Sequence, residues 1–312
     1  MNLQEILGVT YLLWPITIFI FILGSILGIL LLVSIGGFVA LSGLFLYYSY
    51  IYLKKKGVFQ DLYNWIQKKT TFVTENIQQN ITGTFHLEGI EKLSEKPTLY
   101  LAHPHGLFSM APFVHWGVQL GNWPTSVPVK IAIHSIFFQI PGVRELMESN
   151  RCIEANENEI RSALESGVSV IVLTGGVEEI SKTEAGQLCL VLKKRKGVYR
   201  IAKELGIPIV PVLTFGENEL FPPMKHWLIQ KLQTYLYAWF HIALPIPTWE
   251  SLRNWFSLVN GPLEPAIVTW IGSPIFPKKD SVNVLRKKVL GEFEILYKNY
   301  KPSHYAENLT FV

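Results

Sequence analysis

The feature that most constrains the fold is a stretch of 48 residues, Ile6 to Leu53, that contains no Asp, Glu, Lys or Arg. A helix needs roughly 20 apolar residues to cross a bilayer, so this stretch is long enough to cross twice. We predict a hairpin with arms at Leu12–Val33 and Phe38–Leu53, joined at Ser34-Ile35-Gly36-Gly37, where glycine allows a turn. A single long membrane helix is the alternative interpretation.

Aromatic and basic residues mark the end of this stretch. Four tyrosines lie between residues 47 and 52, and Lys54-Lys55-Lys56 follow directly. Tyrosine is enriched at membrane interfaces, and basic residues are retained on the cytosolic side. We therefore expect residues 1–56 to form a transmembrane hairpin anchor with both ends in the cytosol. Residues 57–83 are expected to form an amphipathic connecting helix, either on the membrane surface or packed against protein.

Charge is distributed very unevenly along the chain. All 28 basic residues lie at or after Lys54, and Glu5 is the only acidic residue before it, so the part from Lys54 onward carries a net charge of +5. The whole chain is 49% hydrophobic, with a mean hydropathy of +0.26. This mild basic excess suits anionic lipid headgroups or a phosphorylated co-substrate, and it is too weak to indicate nucleic-acid binding.

Residues 84–312 alternate between strand-like and helix-like segments. Short, apolar, β-branched runs predict strands at Thr84–Glu88, Thr98–Ala102, Val129–Ile133, Val168–Leu173, Ile207–Thr214 and Ala266–Ile271. Helical spacing predicts helices at Leu107–Leu120, Val143–Glu148, Glu157–Glu165, Lys193–Leu205, Met224–Ala243 and Val282–Lys298. This alternation predicts one α/β catalytic domain with a mostly parallel sheet flanked by helices. Leu244–Pro265, rich in proline and tryptophan, is expected to be a long loop.

The second predicted strand leads directly into His103-Pro104-His105-Gly106. Ligands bind at the carboxyl ends of parallel strands, and a histidine there can act as a base near neutral pH. His105 is nearer to the following helix and is the better candidate to face a substrate, whereas His103 is expected to hold the turn. Pro104 restricts the backbone, and Gly106 lets it approach a ligand closely. A His-x-His metal site and a purely structural turn are the alternatives.

Three further clusters follow predicted strands or begin a predicted helix. Gly175-Gly176 precede Glu178-Glu179, and a carboxylate in this position can orient an imidazole. The segment Lys193–Gly197 carries four cations near a helix start, which suits a phosphate group but is equally typical of a solvated face. Glu217 and Asn218 follow another predicted strand, at the edge of the sheet where ligands bind.

The order of these clusters resembles the type-2 diacylglycerol acyltransferase family, which also contains monoacylglycerol and wax-alcohol acyltransferases. The resemblance runs from about Leu99 to the carboxyl end. The matching pieces are His103-Pro104-His105-Gly106, Ile140-Pro141-Gly142-Val143-Arg144-Glu145, Gly175-Gly176 with Glu179, Arg195-Lys196-Gly197, Pro211 through Phe215-Gly216-Glu217-Asn218-Glu219, and Ile271-Gly272-Ser273-Pro274-Ile275.

This resemblance implies an acyl-CoA-dependent O-acyltransferase that esterifies a lipid hydroxyl, converting diacylglycerol to triacylglycerol, with monoacylglycerol or wax alcohol as alternative acceptors. It implies that His105 is the base and that Glu179 holds its imidazole. Substrate-binding residues would be Arg195, Lys196, Gly197, Glu217 and Asn218. Coenzyme A leaves as a thiolate, so neither a metal nor another cofactor is required.

The resemblance also implies an endoplasmic reticulum membrane protein with its catalytic domain in the cytosol, and a possible location on lipid droplets. Its partners would be acyl-CoA, a neutral-lipid acceptor and the membrane; a homo-oligomer is compatible with the sequence but not indicated by it. Two other function classes remain open, a metal-dependent hydrolase built on His-x-His and a non-catalytic protein that uses the hairpin to shape membranes.

Overall fold

A computed structural model describes residues 41–42, 44–57, 61, 80–107, 109–117, 125–140, 143–182, 184–193, 195–224, 226–229, 231, 235, 246–258, 260–277 and 280–312. The chain divides into two compact units, Met1–Ile66 and Gln67–Val312. The domain boundaries predicted at residues 56/57 and 83/84 stay predictions.

In the first unit, residues 44–55 are helical, and residues 44–53 of them belong to the predicted second arm, Phe38–Leu53. Within the part of the chain that the structure describes, no helix combines the length and apolarity needed to cross a bilayer. The predicted first arm, Leu12–Val33, and the turn after it lie outside the described residues. So does most of the predicted connecting helix, residues 57–83.

The second unit is built around a seven-stranded sheet. The strands of the chain, in order, are β1 Phe85–Glu88, β2 Leu99–His103, β3 Val129–Ile133, β4 Cys152–Glu154, β5 Ser169–Val172, β6 Cys189–Leu190, β7 Ile209–Phe215, β8 Ile267–Ile271 and β9 Thr310–Phe311. The sheet order is β1-β8-β7-β2-β5-β3-β4, and every neighbouring pair is parallel except β7 with β8. A separate parallel pair joins β6 to β9. The predicted mostly parallel sheet is confirmed.

Helices cover both faces of this sheet. They are α1 Met110–Pro112, α2 Val143–Ser149, α3 Glu157–Glu165, α4 Gly176–Lys182, α5 Gly197–Leu205, α6 Glu217–Leu220, α7 Trp249–Ser257 and α8 Val282–Tyr300. A π-helical turn, Phe113–Gly117, continues α1, and short 3-10 turns lie at Ile90–Lys92 and Ser135–Phe138.

The central strand β2 shows why the sheet is buried on both faces. Leu99 and Leu101 pack into one apolar cluster, with residues of α3, α5 and α8. Tyr100 and Ala102 pack into a second cluster on the opposite face. Because successive side chains of a strand point to opposite faces, a strand buried on both sides carries apolar residues on both, as Leu99–Ala102 do; His103 is the polar residue at the end of this strand.

The sequence pattern missed some short elements. The predicted loop Leu244–Pro265 contains helix α7, and helix α4, which begins at Gly176, is absent from the predicted helices. Helix α7 begins where the Thr248 hydroxyl accepts a hydrogen bond from the Ser251 amide, 3.1 Å away. Its Asn254 side chain donates to the Leu220 carbonyl at 2.8 Å. These hydrogen bonds define where the helix begins and hold it to the segment that contains Leu220.

Candidate active site

Three neighbouring strands deliver the predicted site residues to one edge of the sheet. Strand β2 lies between β5 and β7, and all three are parallel, so their carboxyl ends lie side by side. His103 is the last residue of β2 and His105 lies in the turn after it, the segment after β5 carries Glu179, and the turn after β7 carries Glu217. The structure therefore brings these three predicted clusters to the same edge of the sheet.

The Glu179 carboxylate contacts three segments of the candidate site. Its Oε1 lies 2.6 Å from His103 Nδ1 and accepts a hydrogen bond from the Val191 amide at 2.8 Å. Its Oε2 accepts one from the His105 amide at 2.6 Å. Burial alone would raise the pKa of Glu179, but the His103 imidazole and the two amides outweigh it and lower that pKa. The carboxylate thus fixes three segments of the chain together.

The expectation that Glu179 holds the His105 imidazole is wrong in this structure. The ring that Glu179 contacts belongs to His103, whose other nitrogen, Nε2, lies 2.6 Å from the Thr174 hydroxyl. Glu179 reaches only the backbone amide of His105. The reason is the strand geometry: His103 still belongs to β2 and is buried against α8, at Phe293, whereas His105 has already left the sheet. Both nitrogens of His103 are engaged, which fits the predicted turn-holding role.

The orientation of the His105 imidazole is set within its own turn. His105 Nδ1 lies 3.1 Å from the Gly106 carbonyl oxygen. A carbonyl can only accept, so Nδ1 carries the hydrogen and Nε2 keeps its lone pair. Burial lowers the pKa of His105, partly offset by the Gly106 hydrogen bond and the charge of Glu179. A neutral, partly exposed imidazole with a basic Nε2 is the form that a general base requires.

Ser109 is a site residue that the sequence reasoning missed. Its hydroxyl donates to the His105 carbonyl at 2.7 Å, and its Oγ lies 3.0 Å from His105 Nδ1 and 3.5 Å from Nε2. Its side chain is buried, and its backbone has a φ of 53°. Its place four residues after His105, just before an apolar helix start, was the available signal.

Glu217 supports the same turn from the side of β7. Its carboxylate accepts hydrogen bonds from the amides of Met110, at 2.8 Å, and Ala111, at 3.4 Å. Burial raises the pKa of Glu217 to about 7, against these two hydrogen bonds. A Cβ at Gly106, which has a φ of +59°, would lie 2.7 Å from Glu217 Oε1. Only glycine therefore lets the turn lie on this carboxylate.

The paired glycines have separate functions. A Cβ at Gly175 would lie 2.0 Å from the Glu179 carboxyl group, so the missing side chain makes room for that carboxylate. Gly176 has open space around it but a φ of +53°, a backbone conformation that favours glycine. Glycine is needed at position 175 because a side chain there would collide with Glu179, and at position 176 because the backbone there is left-handed.

The predicted substrate-binding residues differ in their exposure to solvent. Arg195, Lys196 and Gly197 are exposed at the start of α5. A few residues earlier in the sequence, the Val191 amide donates a hydrogen bond to Glu179 and so contacts the site. Asn218 is buried, and its Oδ1 has no hydrogen-bond partner among the described residues. The substrate-binding role of these residues stays a prediction.

The sequence profile of the family described as "Diacylglycerol acyltransferase" matches residues 30–308, nearly the whole chain. The chain belongs to the diacylglycerol acyltransferase family. The family resemblance drawn from the motifs is confirmed, and every predicted site residue lies inside the matched range.

Among relatives in this family, the chain is 30% identical to "Diacylglycerol O-acyltransferase 2" of Dictyostelium discoideum, over 58% of this chain and 57% of that protein. It is 28% identical to "2-acylglycerol O-acyltransferase 1" of Mus musculus, over 67% and 68%. It is 26% identical to "Acyl-CoA wax alcohol acyltransferase 2" of Homo sapiens, over 64% and 62%. The chain thus spans less than two thirds of the Dictyostelium protein, and the names of these relatives cover three different acceptors.

Proposed function

We propose that this protein is an acyl-CoA-dependent O-acyltransferase that esterifies diacylglycerol to triacylglycerol. The observation that carries the proposal is the His105 imidazole, whose Nδ1 is committed to the Gly106 carbonyl and whose Nε2 retains its lone pair. That ring lies at the carboxyl edge of the sheet, in a chain whose family and relatives are named for this acyl transfer. All three of the relatives described above are named acyltransferases, whereas only one of them is named for diacylglycerol as the acceptor.

The reaction follows from the position of Nε2. His105 Nε2 takes the proton from the acceptor hydroxyl while the oxygen attacks the thioester carbonyl, and such help contributes roughly 10²–10⁴-fold to the rate. Backbone amides of the neighbouring turns stabilise the tetrahedral oxyanion, each contributing about 3 kcal/mol. When the intermediate collapses, the C–S bond breaks and the coenzyme A thiolate leaves. The proton on His105 is then released to the thiolate or to solvent.

Different parts of the chain are expected to bind the two substrates. The exposed cations Lys193, Arg195 and Lys196 can bind the phosphates of acyl-CoA. The uncharged amino-terminal stretch would hold the protein at the endoplasmic reticulum membrane or a lipid droplet, where the acceptor is dissolved. We place the catalytic domain on the cytosolic side because the cluster Lys54-Lys55-Lys56 follows that stretch.

The His-x-His metal hydrolase is disfavoured by the hydrogen bonds of the two rings. His103 has Nδ1 on Glu179 and Nε2 on Thr174, and His105 has Nδ1 on Gly106. Metal ligation needs a ring nitrogen with a free lone pair, and in this arrangement only His105 Nε2 supplies one. A monoacylglycerol or wax-alcohol acceptor is the second candidate within the favoured class, because relatives with those names match over similar lengths.

The proposal is tested by expressing the full chain in cells that lack neutral-lipid synthesis and supplying labelled acyl-CoA to their microsomes. Diacylglycerol, monoacylglycerol and a long-chain alcohol are offered separately, and the products are separated by thin-layer chromatography. We expect triacylglycerol from the wild type and at least a hundredfold less from His105→Ala, the lower bound for a general base. His86→Ala, which changes an exposed histidine of β1, is the matched control and should keep full activity.

The outcomes separate the alternatives. Ester formation only with monoacylglycerol or alcohol would reassign the acceptor. Near-normal synthesis by His105→Ala at equal protein level would remove the base from the mechanism. No ester from any acceptor, with wild-type protein present and folded, would favour the non-catalytic membrane protein.

A further inference from the structure

We propose that Ser109 is a positioning residue for His105, holding the imidazole in place and stabilising its protonated form. This inference rests on the proposed function, because it concerns the base of the same reaction. The sequence motifs and the family comparison assign no role to Ser109.

The backbone of Ser109 is the first observation. Its φ is +53°, a conformation that residues other than glycine rarely adopt. Among the described residues, Arg151, with a φ of +61°, is the only other such case. Strain of this kind persists where the surroundings over-determine it, and it is concentrated at functional sites. A serine retained here instead of glycine indicates that its side chain is used.

The second observation is that Ser109 does not cap the helix that follows it. A serine before a helix ordinarily accepts a hydrogen bond from the second or third helical amide. Here Glu217 accepts from both Met110 and Ala111, and the third helical residue, Pro112, has no amide hydrogen. The Ser109 hydroxyl makes no capping hydrogen bond and is therefore available to the turn.

The third observation is where the hydroxyl goes. It donates its hydrogen to the His105 carbonyl, and its oxygen lies 3.0 Å from Nδ1 and 3.5 Å from Nε2 of the same residue. An atom this close to both ring nitrogens lies over the face of the imidazole. With the hydrogen directed to the carbonyl, the negative end of the hydroxyl dipole faces the ring. It therefore stabilises the positive charge that the ring acquires when Nε2 takes a proton.

Two substitutions separate the hydroxyl from the backbone strain. Ser109→Ala removes the hydroxyl and keeps the strain, whereas Ser109→Gly removes both. We expect both variants to lower kcat about tenfold, the effect of one ordinary hydrogen bond, with little change in KM. Of these two Ser109 variants, only Ser109→Gly should raise the thermal midpoint of unfolding, because only it removes the backbone strain. Arg151→Gly is the matched control: it relieves the same kind of strain at an exposed position and should raise the midpoint without changing kcat.

A second measurement does not depend on turnover. Diethyl pyrocarbonate modifies neutral imidazole, and peptide mass spectrometry reports the modification of His105 as a function of pH. Loss of the Ser109 hydroxyl should lower the pKa of His105, so the midpoint of modification should move to lower pH in both Ser109 variants and stay in place in Arg151→Gly. The acid limb of the kcat profile should move in the same direction.

The inference is overturned if both Ser109 variants keep wild-type kcat and an unchanged modification midpoint, or if acyl-CoA acylates Ser109 itself. If the wild type makes no ester, the proposed function fails while the shift of the modification midpoint still tests the contact between Ser109 and His105.

Discussion

Two buried carboxylates support the histidine turn from opposite sides, and they behave differently. Glu179 and Glu217 are each 1% exposed, and each accepts hydrogen bonds from two backbone amides. Glu179 also contacts the His103 imidazole, and its pKa is lowered. No charged side chain among the described residues contacts the Glu217 carboxylate, and burial raises its pKa to about 7.

The comparison teaches that two amides leave the pKa of a buried carboxylate at about 7, whereas two amides and an imidazole lower it below its ordinary value. The turn that carries His105 is therefore held by two different carboxylates. The pKa of Glu179 is lowered, so it keeps its negative charge, whereas the pKa of Glu217 is about 7, so it titrates near neutral pH. The following predictions test this contrast, beginning with the largest effect.

The imidazole contact should make Glu179 the more costly carboxylate to lose. Glu179→Ala leaves His103 buried without its partner, and we expect a loss of about 3–5 kcal/mol in the free energy of unfolding. Glu178→Ala, one residue earlier and in a partly exposed ion pair with Lys182, should cost less than about 1 kcal/mol. Thermal and denaturant unfolding of the purified full chain would compare them. Equal costs would contradict the distinction.

Glu217 should make stability depend on pH where Glu179 does not. Its folded pKa of about 7 exceeds the ordinary value of 4.5, so its stabilising contribution is complete below pH 4.5 and is lost as the pH rises through 7. The full loss is roughly 3 kcal/mol. Glu217→Gln cannot ionise and should remove this slope from a plot of the thermal midpoint against pH. A slope that persists in the variant would assign it to another group.

The two glycines before α4 test how Glu179 is accommodated. A Cβ at Gly175 would displace the carboxylate, so Gly175→Ala should cost about 1–3 kcal/mol and abolish ester synthesis. Gly176→Ala meets open space but a left-handed backbone, and should cost about 1 kcal/mol and keep most activity. Thermal midpoints and microsomal activity at equal protein level provide the measurement. Equal loss of activity in the two variants would show that the site requires the left-handed backbone at Gly176 as much as the space that Gly175 leaves for Glu179.

The smallest expected effect concerns the acid limb of the activity profile. Because the pKa of His105 is lowered, its base form survives to pH values below its ordinary 6.5. The midpoint of the acid limb of kcat/KM should therefore lie below pH 6.5. Glu179→Gln removes a negative charge that raises this pKa and should move the midpoint further down. A shift to higher pH would contradict the described electrostatics.

The sequence predicted the architecture well because its strands carry strong local signals. Strand β3 and helix α3 were predicted with the bounds that the structure shows, since each has an unbroken apolar or amphipathic period. Strand β4, with three residues, and helix α6, with four, are too short to show any period. These short elements form through hydrogen bonds to segments distant in sequence, which a local pattern does not encode.

The site was predictable to the level of the strand ends but not of the individual contacts. The rule that ligands bind at the carboxyl ends of parallel strands led us to assign the clusters of His105, Glu179 and Glu217 to that edge of the sheet. Which ring Glu179 contacts depends on where β2 ends, and helix boundaries and strand ends are the least defined features of a sequence pattern. The contribution of Ser109 depends on a backbone angle that the residue type argues against.

The pairing of β6 with β9 connects residues 310–312 to the candidate site. The Leu192 and Lys193 amides donate to the Val312 carbonyl, and this places the neighbouring Val191 amide on Glu179. Residues 310–312 lie more than a hundred residues after Glu179 in the sequence. A chain without these three residues keeps all seven strands of the main sheet and loses the two hydrogen bonds that the Val312 carbonyl accepts. Deleting residues 310–312 should therefore loosen the segment that carries the Val191 amide and weaken its hydrogen bond to Glu179.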